Sequence, residues 1–214
     1  WLKSLNIHLN EDLRDHAALA LIAIKPQMMR QALPRLNGYA SGSTIFLSVA
    51  AGISIDAYEN ILGKGALIVR AMPNTPAAIG QGITALIGND AAGADDLQLC
   101  QDLLGAIGQT VRLETESQMD AVTGVSGSGP AYVFFMVDAL ASAGQAQGLP
   151  EELAMQLAKA TVAGAGSLAA QSHETPEQLR INVTSPNGTT QAGLEVLMDP
   201  KDGLAPLLSA TVAK

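Results

Sequence analysis

Residues 109–148 read QTVRLETESQMDAVTGVSGSGPAYVFFMVDALASAGQAQG, and the chain changes character inside them. The stretch opens on a β-branched run, 109–114, of the kind that forms strands. It closes on an alanine-rich run that carries one formal charge, Asp138. Pro130 stands near the first position of that run and Gly148 just past its end, the asymmetry expected of a helix. Two regimes therefore meet near residues 114–117.

Before that point the chain alternates. HAALALIAIKP (16–26) is an uninterrupted apolar run ending at a proline, as in a strand buried on both faces. STIFLSVAAG (43–52), GALIVRAMPNTP (65–76), GITALIGN (82–89) and QTVRLE (109–114) follow as strand candidates. Helices are expected at 27–36, 55–62 and 94–107. Asn10 before Glu11 and Asp12, and Ser54 before Asp56, are helix-start signals. Alternating strands and helices with apolar strands predict a parallel, doubly wound sheet. Ligands of such sheets bind beyond the carboxyl ends of the strands. Three of those ends carry unusual residues: AIKP (23–26), SVAAG (48–52) and RAMPNTP (70–76).

After residue 116 only helices are expected. LPEELAMQLAKATVAGAGSLAAQ begins at Pro150-Glu151-Glu152, and Thr175-Pro176-Glu177 starts another helix. Helices 130–147 and 151–171 lack the polar face that a surface helix needs. A small helical domain can hardly hide both, so they predict a dimer.

The totals bound the function. The chain has 214 residues, is 48% hydrophobic and only 15% charged, and carries a net charge of −8. No basic run exists, which argues against nucleic acid as the partner. No 20-residue apolar stretch of the kind that spans a bilayer occurs, since 131–149 is broken by Asp138, Ser142, Gly144, Gln145 and Gln147. One cysteine, Cys100, excludes an intrachain disulfide framework and fits a reducing, cytoplasmic setting. His8, His16 and His173 are scattered, so no metal site is expected. GVSGSG (124–129) lacks both the G-x-G-x-x-G and the G-x-S-x-G spacing, and reads as a glycine-rich turn into a helix.

Two stretches carry polar groups with a purpose. MPNTP (72–76) holds Asn74 and Thr75 between two prolines, either as a rigid positioning device or as a plain surface turn. NVTSPNGTTQAGLEVL (182–197) has a Pro-Asn-Gly turn and then Thr189-Thr190 where a helix begins. Unpaired N–H groups at a helix start can hold a carboxylate or phosphate without any lysine. Ser185 and Thr184 would add hydroxyls. On this stretch alone, ordinary capping by the threonines is the favoured explanation.

Taken together, AIKPQ, SVAAGI, RAMPNTPAAIGQG, DAVTGVSGSGPAY and LRINVTSPNGTTQAGL, in this order and spacing, resemble the pyrroline-5-carboxylate reductase family. The resemblance covers nearly the whole chain. It implies an α/β Rossmann-type N-terminal domain (1–115) and an all-α C-terminal dimerisation domain (116–214). It implies reduction of 1-pyrroline-5-carboxylate to L-proline by NADPH or NADH, in a homodimer that can assemble into a decamer. Its cofactor contacts fall on Asn10, on Ala23, Ile24, Lys25 and Pro26, on Val49, Ala50 and Ala51, and on Asn74 and Thr75. Its substrate contacts fall on Glu116, Asn182, Ser185, Thr189 and Thr190, with Thr123 nearby, and Asn182 also counts among the cofactor contacts. Thr190 matches the hydroxyl that meets the ring nitrogen, with Glu116 helping beside it.

The family's glycine-rich fingerprint would precede Trp1, so a truncated N-terminus is expected. The alternatives are a non-catalytic oligomerisation module or another two-domain imine or hydroxyacid dehydrogenase. The latter would show a catalytic lysine in its helices, and Lys159, the only lysine of the two central ones, lies in no such motif.

Overall fold

The computed structural model describes residues 17–214. The chain divides into two compact units, residues 1–119 and residues 120–214. Within the first, five strands form one sheet among the described residues: β1 (Leu19–Ile22), β2 (Ile45–Ser48), β3 (Leu67–Met72), β4 (Gly82–Gly88) and β5 (Gly108–Arg112). They lie side by side in chain order. β1, β2 and β3 are parallel, with Ile22 level with Ser48 and Ser48 level with Arg70.

The sheet is not wholly parallel, as its apolar runs had suggested. β4 runs antiparallel to β3, and β5 is parallel to β4. The cause is the link between β3 and β4, a 3-10 turn over Thr75–Ile79. A parallel return needs a crossover of a dozen or more residues, which 73–81 cannot supply.

Helix α1 (Met29–Ala32) is a single turn between 3-10 segments at Pro26–Met28 and Leu33–Tyr39. The helix expected at 27–36 is thus broken, because Pro34 has no N–H to continue an α-helical ladder. Helices α2 (Ile55–Leu62) and α3 (Ala94–Gly105) form where expected. Ser54 caps α2, its hydroxyl accepting from Ala57 N–H at 3.3 Å. Phe46, Tyr58, Ile68, Ile55 and Leu33 fill one core of the unit. Leu47, Val69, Leu86, Cys100 and Leu104 fill the other.

One polar residue ties the far end of this sheet together. Asn89 is buried, and its Oδ1 accepts from Ile68 N–H (3.1 Å) and Ala92 N–H (3.2 Å). Its Nδ2 donates to Glu59 Oε1 (2.9 Å) and to the Ala66 carbonyl (3.0 Å). Truncation strands several of these groups, at about 1–3 kcal/mol for each one left unsatisfied. Asn89→Ala is therefore expected to lower stability by roughly 2–4 kcal/mol. Urea denaturation at fixed protein concentration measures it, and an unchanged midpoint would contradict the bonding scheme.

The second unit is helical. α4 (Gln118–Val122) leads into a π-helical turn at Thr123–Gly127, then α5 (Gly129–Ala146), α6 (Glu151–Gln171), α7 (Pro176–Asn182), α8 (Thr189–Leu197) and α9 (Leu204–Val212). α5 and α6 pack closely through small residues. Their buried cluster is Ala141, Ala154 and Ala158, with Val137 and Met155 at its edge. A side chain at Gly144 would meet Leu149 and Ala154. The large apolar groups point outward instead: Phe135 is 73% exposed and Phe134 62%, with Val133, Met136, Leu153 and Leu157 also open.

Candidate active site

In the first unit the parallel register puts the ends of β1, β2 and β3 on one sheet edge. Ala23, Lys25 and Pro26 are exposed just past β1, and Ile24 is half-buried. The Lys25 carbonyl accepts from Met28 N–H at 2.9 Å and closes the turn there. Past β2, Val49 is half-buried and its N–H donates to Ile22 O at 3.1 Å. Ala50 is buried, Ala51 is exposed, and Gly52 adopts φ +74, a left-handed turn suited to glycine. The Ala50 N–H donates to Ser48 Oγ at 3.2 Å. Past β3, the Asn74 Oδ1 accepts from Ile83 N–H at 3.0 Å and pins the MPNTP loop to β4. Thr75 is exposed at the start of the 3-10 turn. The side chains at 50–52 are small, and they stand at the sheet edge where ligands of such folds bind. Asn10 lies outside the described residues.

Beneath the edge is a polar network that composition did not reveal. Ser48 Oγ and the Tyr58 hydroxyl are 2.5 Å apart. Burial pushes the Tyr58 phenol up, and the bond to Ser48 and the nearby Arg70 charge partly offset this. Arg70 is buried in β3 and its Nη1 donates to Glu116 Oε1 at 2.6 Å. The same oxygen accepts from Ile55 N–H, the first amide of α2, at 2.8 Å. Glu116 is thus engaged within the first unit. A charged residue inside the apolar run LIVRAM was the one sequence signal of this network.

In the second unit the informative segment joins α7 to α8. Gly188, not a hydroxyl residue, is the N-cap of α8. Thr189 and Thr190 occupy the first turn and are exposed. Capping by their side chains is therefore not what this turn uses. Ser185 is exposed, and its carbonyl accepts from Gly188 N–H at 3.1 Å. Asn187 holds φ +58 and its N–H donates to Gln191 Oε1 at 2.8 Å, which fixes the turn. Thr184 differs from expectation, since its hydroxyl donates to the Arg180 carbonyl at 2.6 Å and finishes α7. Its proton is committed there.

Asn182 is held at both ends of its amide. Gln178 Nε2 donates to its Oδ1 (2.8 Å), and its Nδ2 donates to Glu174 Oε2 (2.9 Å). Glu174 was not singled out by the sequence; its place before Thr175-Pro176 gave no reason to. Thr123 lines an open cavity of about 760 Å³ with Ser128, Tyr132 and the end of α9.

Among the described residues no three His, Cys, Asp or Glu gather as metal ligands. Cys100 is buried, and burial, helped by Asp96, pushes its thiol up to about 11.

This architecture defines a class: a Rossmann-type α/β unit followed by a helical association unit. A family profile described as pyrroline-5-carboxylate reductase dimerisation matches residues 116–214. A pyrroline-5-carboxylate reductase of Synechocystis is 42% identical over 188 residues, covering 88% of this chain and 69% of the relative. The structure of a pyrroline-5-carboxylate reductase from Coxiella burnetii superposes with a TM-score of 0.92 at 32% identity, covering 99% of this chain and 79% of that one. A Plasmodium falciparum pyrroline carboxylate reductase with NADP bound gives 0.82 at 30% identity, covering 93% and 74%. The chain belongs to the pyrroline-5-carboxylate reductase family.

Proposed function

We propose that the protein reduces 1-pyrroline-5-carboxylate to L-proline with NADPH or NADH, the last step of proline biosynthesis. The observation that carries the site is the glycine-capped start of α8, where two threonine hydroxyls remain unused by the fold. Residues 1–115 serve the dinucleotide, through 23–26, 49–51 and 74–75, with Asn10 and Asn182 as further contacts. Residues 116–214 bind the imine and associate with a second copy.

The nicotinamide supplies the hydride when bound. The first-turn amides of α8 with the Ser185 hydroxyl hold the substrate carboxylate, since those N–H groups lack helical partners and lie at the positive end of the helix dipole. This lets a chain of net charge −8 bind an anion locally. The imine carbon is electrophilic once its nitrogen is protonated or hydrogen-bonded. Threonine is a poor acid, so the substrate binds already protonated and the Thr190 hydroxyl orients its N–H. Thr123 serves as a supporting hydroxyl in this reading.

The protein is a homo-oligomer through its dimerisation region. We place it in the cytoplasm as a dimer, with further assembly to a decamer. Among the described residues no helix is long and apolar enough to cross a membrane.

The test is loss of NADPH or NADH absorbance on adding the imine to the full-length protein. Turnover that depends on the imine and yields proline is expected. Cofactor binding without such turnover would leave the non-catalytic reading standing instead.

A further inference from the structure

We infer that Glu116 is a positioning residue for the cofactor loop at 49–54, acting from beneath it with Arg70. The inference rests on the reading of 49–51 as cofactor contacts. That loop is tied at both ends. At its start Ser48 Oγ takes the Ala50 N–H and is held in turn by the Tyr58 hydroxyl, 2.5 Å away. At its finish the Ile55 N–H is taken by Glu116 Oε1. Between them Gly52 makes the left-handed turn.

Arg70 joins the two ties. It is buried in β3, its guanidinium holds Glu116, and its charge acts on Tyr58. Glu116 is separated from Ile55 by 61 residues and from Arg70 by 46, so its carboxylate fixes a distant loop rather than its own neighbourhood. A carboxylate on the first amide of a helix is also favoured by the helix dipole. Ser54 takes the Ala57 N–H, so the first and third amides of α2 are both held by side chains. The loop's shape is thus set in advance, which reduces the ordering that cofactor binding would otherwise require.

The experiment separates this role from direct contact with the imine. Glu116→Gln keeps the side chain's size and removes its charge. NADPH affinity is measured without imine by fluorescence titration, and the imine KM at saturating NADPH. Amide exchange of residues 50–57 is followed by mass spectrometry. The expected result is NADPH binding weakened roughly tenfold, with faster exchange across the loop and the imine KM within about twofold, since small displacements far from the chemistry carry effects of this order or more.

A raised imine KM with unchanged NADPH affinity would overturn the inference and make Glu116 a substrate contact. Should Glu116→Gln fail to fold, Tyr58→Phe carries the test. It removes only the tie to Ser48, so weaker NADPH binding and faster exchange at 50–52 are expected, and the absence of both changes would overturn the inference. NADPH affinity is read without turnover, so this test stands or falls separately from the imine reaction.

Discussion

Thr190→Ala lowers kcat by about 10²- to 10³-fold while leaving the fold intact: that is the expected result, sized on the loss of one preorganised hydrogen-bonding group at a reacting centre. The stability half follows from the structure. Thr190 is exposed, sits in the first turn of α8, and neither caps the helix nor packs in the core. Surface changes of this kind stay within about 0.5 kcal/mol. The rate half follows from the proposed chemistry, in which the ring nitrogen loses its orienting hydroxyl. Thr190→Ser should keep most of the rate, and Thr190→Val, which keeps the shape, should lose it as alanine does. Steady-state kinetics with a thermal melt check both halves, and an unchanged kcat in the valine variant would remove Thr190 from the reaction.

Phe135→Glu is expected to abolish the dimer at micromolar concentration. The side chain is 73% exposed in the single chain, beside Phe134, on a unit whose own buried cluster is three alanines. Burying a phenylalanine contributes about 1.5–3 kcal/mol, and a two-fold interface counts the change twice. A carboxylate forced into the same place adds a desolvation cost. The sum is at least about 4 kcal/mol, or roughly 10³-fold in the dissociation constant. Sedimentation velocity over a dilution series reads it. A variant that still sediments as a dimer at the lowest concentration would show that α5 does not face the partner copy. Activity should fall with the dimer if the helices complete the substrate site only when paired.

Both predictions rest on features that the sequence carried openly. The apolar runs at 43–52 and 65–76 became β2 and β3, and the uncharged runs after Gly129 became α5 and α6. Periodicity and composition are local, and they report what is local. Direction is not local: the apolar run 82–89 reads the same whether its strand runs with or against β3, and only the short 73–81 link decides it. Partners are not local either. Nothing near Glu116 announces Arg70 or Ile55, and nothing near Asn89 announces Glu59 or Ala66. Within NVTSPNGTT, the sequence could not say which hydroxyls the fold consumes. Thr184 closes α7, while Thr189 and Thr190 follow a glycine cap.

The order of the strands has a consequence for synthesis. Each strand of the sheet lies beside the one made just before it, from β1 to β5. Among the described strands, none has to be inserted between two already formed. Contacts close in sequence close quickly, because little loop entropy is lost in making them. These five strands can therefore add one upon the next as the chain leaves the ribosome. The helices after Gly129 follow last. Their apolar faces are open in the single chain, and the region they belong to matches a dimerisation family, so a step within one chain is followed by a step between two.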